Sequence, residues 1–264
     1  PEIQQAIARG LAWLDKYYAA DRNAQPHHPE HKVFGEHHYY YLYGMERVAL
    51  ASGIKTFAGQ DWFESGAAHI LKNESGGSIG GNLENTAFAL MFLSRGRVPV
   101  WMNKLSLAKG DWNNRPNDIY FLSRYLSDLR ESELNWQVVS VDRDAAEWMN
   151  PPITWLSTDD AFEFSAPQRA NLKKYIDLGG LLIVNAEGAD RAVIDAARAE
   201  AKKMYPGLDF RPIEADHPIL TMLDTVPAGQ ARNILTMSNG VRDLVLILGQ
   251  DWGKELQTAK EPGK

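Results

Sequence analysis

"LLIVNAEGAD", residues 181–190, decides the fold. Its first six residues form an unbroken apolar run closed by one Asn and one Ala. A strand wetted on one face alternates apolar and polar residues. An unbroken run is what a parallel strand covered on both faces shows. The chain then turns polar, and "DRAVIDAARAEAKKMYPG" (190–207) reads as a helix that stops before Pro206. A strand that feeds a helix through a short polar loop is half of a βαβ unit.

The same grammar extends in both directions. Upstream, "SAPQRANLKKYIDLGG" (165–180) is a helix with Ser165 as N-cap and Gly179 as its stop. "PPITWLST" (151–158), "WQVVSVD" (136–142) and "VPVWMNKLSL" (98–107) read as strands. Between the last two, "RPNDIYFLSRYLSDLRES" (115–132) puts Ile119, Leu122, Leu126 and Leu129 on one helical face. Downstream, "ARNILTM" and "DLVLILG" are two further strands. Strands alternating with helices predict an open, mostly parallel α/β sheet over residues 105–264.

Residues 1–104 follow a different rule. Ile3, Ile7, Leu11 and Leu14 step along a helix, a polar loop with Pro26 and Pro29 follows, and "HYYYLYGMERVALAS" (38–52) is a helix ended by Gly53. "GQDWFESGAAHILKNE" and "LENTAFALMFLSRG" are two more helices, separated by the turn "SGGSIGGN". That turn lacks the Lys-Ser/Thr pair and the preceding strand of a phosphate loop. "ARGLAWLDKYYAAD" and "ESGAAHILKNESGG" form a weak internal repeat, each opening a helical hairpin. Arrays of that kind need about three or more neighbours, so this half is expected to lean on the α/β half, on missing repeats or on a protein partner.

Composition bounds the chemistry. The chain has 264 residues, a net charge of −6 and no cysteine. Thiolate nucleophiles, thiolate metal sites and disulfides are absent, and nothing suggests a basic nucleic-acid-binding face. No apolar run is long enough to span a membrane. The chain begins at Pro1 without Met and ends in "TAKEPGK", which reads as a processed chain or a piece of a longer one.

Two resemblances carry further expectations. "YYLYGMERVALASGIKTFAGQDWFESGAAHIL" followed by "GGSIGGNLENTAFALMFLSRG" resembles the last repeats of a squalene-cyclase-like α/α toroid. "PVWMNKL", "DWNNRPNDIYFLSRYLS", "NWQVVSVD", "PPITWLSTDD", "LKKYIDLGGLLIVNAEG" and "DHPIL" resemble domain-of-unknown-function family 4159. That resemblance implies a flavodoxin-like or glutamine-amidotransferase-like α/β fold within longer exported, periplasmic bacterial proteins. The chemistry of the named relatives does not carry over. The helical half has no D-x-D-D acid motif, Glu74 and Ile79 stand where cyclase repeats have Gln and Trp, and the cysteine of prenyltransferases and amidotransferases is missing. In "NAEGADR", where amidotransferases place a nucleophile, no Ser or Cys occurs.

The candidate site residues follow from strand ends, where open α/β sheets bind ligands. Asn185, Glu187 and Asp190 follow the decisive strand, and the helix from Asp190 offers free N–H groups. Asp159 and Asp160 follow "PPITWLST". Beside Glu187 they could hold a divalent cation through oxygen ligands, or simply cap a helix on a solvated loop. His217, in "DHPIL", is a candidate acid or base, and Asp251 and Trp252 close the last strand. In the helical half His38 and Tyr41 could line a cavity. His27, His28, His31, His37 and His38 read as a solvated loop more than as metal ligands. No cofactor is expected. The expected role is non-catalytic: a ligand-binding or scaffolding module for a small molecule or glycan. The alternative is a polysaccharide lyase or hydrolase with a site at the junction of the two halves, and an isoprenoid cyclase stands further off.

Overall fold

The computed structural model describes residues 2–23, 37–96, 98–107, 110, 112–222 and 233–258. They form two compact units, divided at Pro99/Val100. The boundary therefore falls a few residues before the expected 104/105. Residues 100–104 are the start of a sheet strand and belong with the second unit.

The first unit runs α1 (Glu2–Tyr17), α2 (His38–Ser52), β1 (Thr56–Phe57), β2 (Gln60–Asp61), α3 (Trp62–Lys72), β3 (Glu74–Ser75), β4 (Ser78–Ile79) and α4 (Leu83–Gly96). The two strand pairs are tight antiparallel hairpins on either side of α3. Asp61 caps α3 by accepting from the amides of Phe63 and Glu64, each at 3.0 Å. The core gathers Leu42, Met45 and Ala49 of α2, Ile70 of α3 and Phe92 of α4. Gly66 is a contact position: a Cβ there would lie 2.6 Å from the Phe92 ring, so α3 and α4 approach closely only because it has none. Five of the first nine residues of α2 are buried, but Tyr40 is 57% exposed.

The second unit continues with β5 (Val100–Ser106), α5 (Asp118–Arg130), β6 (Asn135–Ser140), a 3-10 turn (Ala145–Glu147), β7 (Ile153–Thr158), α6 (Ala166–Asp177), β8 (Leu181–Ala186), α7 (Arg191–Met204), β9 (Phe210–Pro212), α8 (Pro218–Thr221), β10 (Ile234–Ser238), β11 (Asp243–Leu248) and α9 (Trp252–Thr258). Its sheet has the order β6-β5-β7-β8-β11-β10-β9. The first five strands are parallel, and β10 and β9 add antiparallel. Counted among themselves, the parallel strands run 2-1-3-4-5, the flavodoxin-like order, whose switch point lies between the first and third. Here that is between β5 and β7.

Both faces are covered, as the apolar run at 181–186 required. Leu105, Leu156, Val184, Val245 and Ile247 pack under α6 and α7. Met102, Trp155, Leu246 and Leu248 face α5 and α9 with Ile119 and Leu256. Ser165 closes α6 with a capping box: its Oγ accepts from the Gln168 amide, and Gln168 Oε1 accepts from the Ser165 amide at 2.8 Å. One row of side chains inside the core is polar. Gln137, Asn103 and Thr154 stand opposite one another on β6, β5 and β7 and are joined by hydrogen bonds of 2.8 and 3.2 Å. Buried polar groups persist when they are paired in this way.

Candidate functional site

The carboxyl ends of β7, β8 and β11 carry a polar knot. Ser157 and Asn185 end neighbouring strands in register, so their side chains share a face. Asn185 Nδ2 donates to Ser157 Oγ at 3.0 Å, and Ser157 Oγ donates to Glu187 Oε1 at 2.8 Å. Arg115, in the loop before α5, reaches Asp251 Oδ2 at 2.9 Å and lies 4.0 Å from Glu187 Oε2. Asp251 also accepts from the amides of Gly188 and Lys254 and from Asn185 Nδ2. Asn185 Oδ1 accepts from the amides of Trp252 and Gly253 at the start of α9. A Cβ on Gly253 would come within 2.9 Å of Asn185 Nδ2, so the helix can sit this close only with glycine there. The loops after β5, β8 and β11 are thus fastened to one another through Arg115 and Asp251. The loop after β8 also holds Ala189 at φ 57° beside Gly188 at φ 63°, a left-handed backbone that costs a non-glycine residue roughly 1 kcal/mol.

The electrostatics follow the burial. Burial pushes the Glu187 carboxyl up, and Ser157, Asn114 and Arg115 oppose it. Burial acts the same way on Asp251, but the Gly188 amide, Arg115 and Asn185 outweigh it and leave the group below the usual carboxylate range. Directly beneath lies a fully buried ion pair. Lys104 Nζ donates to Asp118 Oδ1 at 2.6 Å and to the Arg115 carbonyl, and Trp155 Nε1 donates to Asp118 Oδ2 at 3.0 Å. Burial pushes the Lys104 ammonium down and the Asp118 carboxyl up, each held back by its partner.

Beside the knot, at the switch point, is a cavity of about 570 Å³. Leu107, Val141, Phe162 and Phe164 give it apolar walls at the ends of β5, β6 and β7. Asp160, Glu163, Ser165 and Gln168 supply its polar groups.

Several sequence candidates meet here and others do not. Asn185, Glu187 and Asp251 share the knot, with Trp252 joined by its backbone. Asp159 is tied to it through Asn114, whose Nδ2 donates to Asp159 Oδ1 at 2.9 Å, and Asp160 lines the cavity. Asp190 caps α7 by accepting from the Ala192 amide at 2.6 Å, so part of that helix start is already satisfied. His217 is parted from the group. Its Nε2 lies 3.2 Å from Asp243 Oδ2, at the first residue of β11 and hence at the amino edge of the sheet. Burial of Leu220 against Ile234 and Leu246 draws this segment across the sheet face. Arg115, Asn114, Ser157 and Lys104 were not among the sequence candidates. A lysine inside the strand "VWMNKLS" was the available signal. Among the described residues no three His, Asp or Glu side chains are grouped to hold a metal. His27, His28 and His31 lie outside the described residues.

The model of a family called domain of unknown function DUF4159 matches residues 101–261. The chain belongs to this family. Its match begins one residue inside β5 and ends beyond α9, so the DUF4159 region and the sheet-bearing unit coincide. No curated protein matches the chain. Among the described residues no helix is long and apolar enough to cross a membrane.

His38 and Tyr41 lie in the first unit, outside the DUF4159 match. His38 is 8% exposed, its Nε2 is 3.1 Å from the Ala20 carbonyl, and its ring meets His69 edge-on at 4.8 Å. Burial, helped by His69, pushes His38 down to about 4, while burial pushes the Tyr41 hydroxyl up to about 12. The unfolded chain takes up the His38 proton near pH 6.5. Stability of this unit is therefore full above that pH and is lost as pH falls towards 4. The loss should reach about 3 kcal/mol. Hydrogen exchange of the α2 amides at pH 7 and pH 4.5 should show it, and His38→Gln should flatten the dependence. An α2 whose opening free energy is the same at both pH values would refute this.

Proposed function

We propose that the DUF4159 unit is a non-catalytic binding module that takes a small molecule or a glycan fragment in the switch-point cavity. The observation that carries this reading is the cavity itself. It has apolar walls, few polar groups, and the position where open α/β sheets take ligands. The serine and carboxylate paired in the polar knot are withdrawn from solvent: Ser157 is fully buried and Glu187 is 3% exposed. The same buried groups weigh against the hydrolase or lyase reading. On the resemblance of the helical half to toroid repeats, the module would serve a longer exported protein as a binding or scaffolding part.

A thermal-shift screen of small metabolites and monosaccharides on the 264-residue chain tests this. A ligand at about 100 times its Kd should stabilise the fold by about 2.7 kcal/mol. Ala161→Trp, which places an indole at the cavity wall, should abolish the shift without lowering the unliganded Tm by more than a few degrees. Ligands that stabilise Ala161→Trp as strongly as the parent chain would remove the cavity from the proposal.

A further inference from the structure

The chain has a single Asn-Gly pair, Asn239–Gly240 in "SNGVRD". It turns β10 into β11, and both residues are exposed. Asn-Gly is a strong hairpin signal, but the bonds here do more than turn the chain. The amides of Val241 and Arg242 both donate to Asn239 Oδ1, each at 3.0 Å. They fold the Asn239 side chain forward over the next peptide, as in an Asx turn, and so bring Cγ to the side of the Gly240 nitrogen. Glycine, at φ 88°, offers no Cβ to crowd that approach. The Gly240 amide donates to Ser238 Oγ at 3.1 Å, and Ser238 Oγ donates to the Arg242 carbonyl at 3.0 Å. The Asn239 amide donates to the same carbonyl at 3.2 Å.

We propose that Asn239–Gly240 is a self-modification site, at which the folded turn promotes loss of ammonia from Asn239 and leaves aspartate. Hydroxide takes the proton of the Gly240 N–H, and the nitrogen attacks Asn239 Cγ. As the N–Cγ bond forms, negative charge gathers on Oδ1. The Val241 and Arg242 amides already point at that oxygen, at the distance from which donors stabilise an oxyanion. The Cγ–Nδ2 bond then breaks, and Nδ2 takes a proton from water and leaves as ammonia. Water opens the resulting five-membered imide. Cleavage of its bond to Cγ gives aspartate, and cleavage of its bond to the main-chain carbonyl carbon gives isoaspartate. The aspartate keeps an acceptor for the same two amides and now holds them with a full charge. Each event adds one negative charge to a chain at −6.

The test ages the full chain in mildly alkaline buffer and maps the products by peptide mass spectrometry. Asn239 should convert at least about tenfold faster than Asn73 and Asn82, which are also exposed but lack the following glycine. Val241→Pro removes one of the two donors at a side chain that is 92% exposed. It should slow the conversion at least about threefold, less than the loss of a donor in a water-excluded site because this turn is wet. Unfolding the parent chain in guanidinium chloride at the same pH should slow it as well, since both donors are then lost. Conversion at Asn239 no faster than at Asn73, a rate that rises on unfolding, or a Val241→Pro chain with the parent's Tm and the parent's rate overturns the assignment. Should Val241→Pro lower the Tm, the comparison of folded and unfolded parent chain decides alone.

Discussion

Lys104→Met should destabilise the DUF4159 unit by about 3–5 kcal/mol, the usual consequence of stripping one partner from a buried ion pair. Lys104 and Asp118 both have fully buried side chains. With the ammonium gone, Asp118 keeps, among the described residues, the Trp155 indole N–H and the Ile119 amide as partners. Chemical denaturation of the parent and variant chains measures the loss. Lys104→Met combined with Asp118→Asn should recover most of it, because no uncompensated charge then remains. The pH dependence has a definite sign. In the variant the Asp118 carboxyl is raised further, since burial already pushes it up and Lys104 no longer opposes. A group raised in the folded state favours folding at low pH, and that contribution fades as pH rises through the folded pKa. The deficit of Lys104→Met should therefore shrink on acidification. A variant as stable as the parent at pH 7, or a deficit that grows in acid, would show that the pair is not buried as described.

Arg115→Ala should have the second-largest effect, about 2 kcal/mol, in the range of a hydrogen bond to a charged group. Its side chain is 26% exposed, so the penalty is smaller than at Lys104. The signature is local. The amides of Gly188 and Lys254 both donate to Asp251, which Arg115 holds. They should lose exchange protection together, although one follows β8 and the other lies in the first turn of α9. Arg115→Lys should restore part of the stability but not all, since an ammonium cannot present the guanidinium fork. Unchanged protection at both amides in Arg115→Ala would mean that the three loops are held by something else.

The parts of the fold that were legible in the sequence are those governed by local rules. The apolar run at 181–186 announced a doubly covered strand, and Ser165 announced the start of α6. The strand–helix alternation announced a parallel sheet. What escaped depends on packing between distant segments. Lys104 looks like a solvent-facing residue in its strand. Only the register of β5 and β7, with α5 laid over them, turns it toward Asp118 and buries it. Arg115 lies in a loop with no periodicity to read, and its partner is Asp251, at the far end of the unit. The cavity is built by the ends of three strands that are neighbours in the sheet but lie far apart in the sequence. "AFEFS" alone therefore gave no hint that Phe162 and Phe164 form a wall. Among the strand-end candidates, Glu187, Asp251 and Asn185 were found because a loop after a parallel strand must emerge at one edge. His217 escaped that rule because the chain turns back after β9 and brings it beside Asp243, at the amino edge.

The position of β11 sets the order in which this unit can be completed. Val245 of β11 pairs with Leu182 of β8, while Met237 of β10 pairs with the same Val245 from the other side. A ribosome making ~5–20 residues per second therefore releases β8 several seconds before the strand that belongs beside it. Until then the apolar stretch 181–186 has one open edge, the kind that recruits strands from other chains. A product cut short before Asp243 would keep that edge for good, and its fate should be aggregation or degradation rather than a smaller working module.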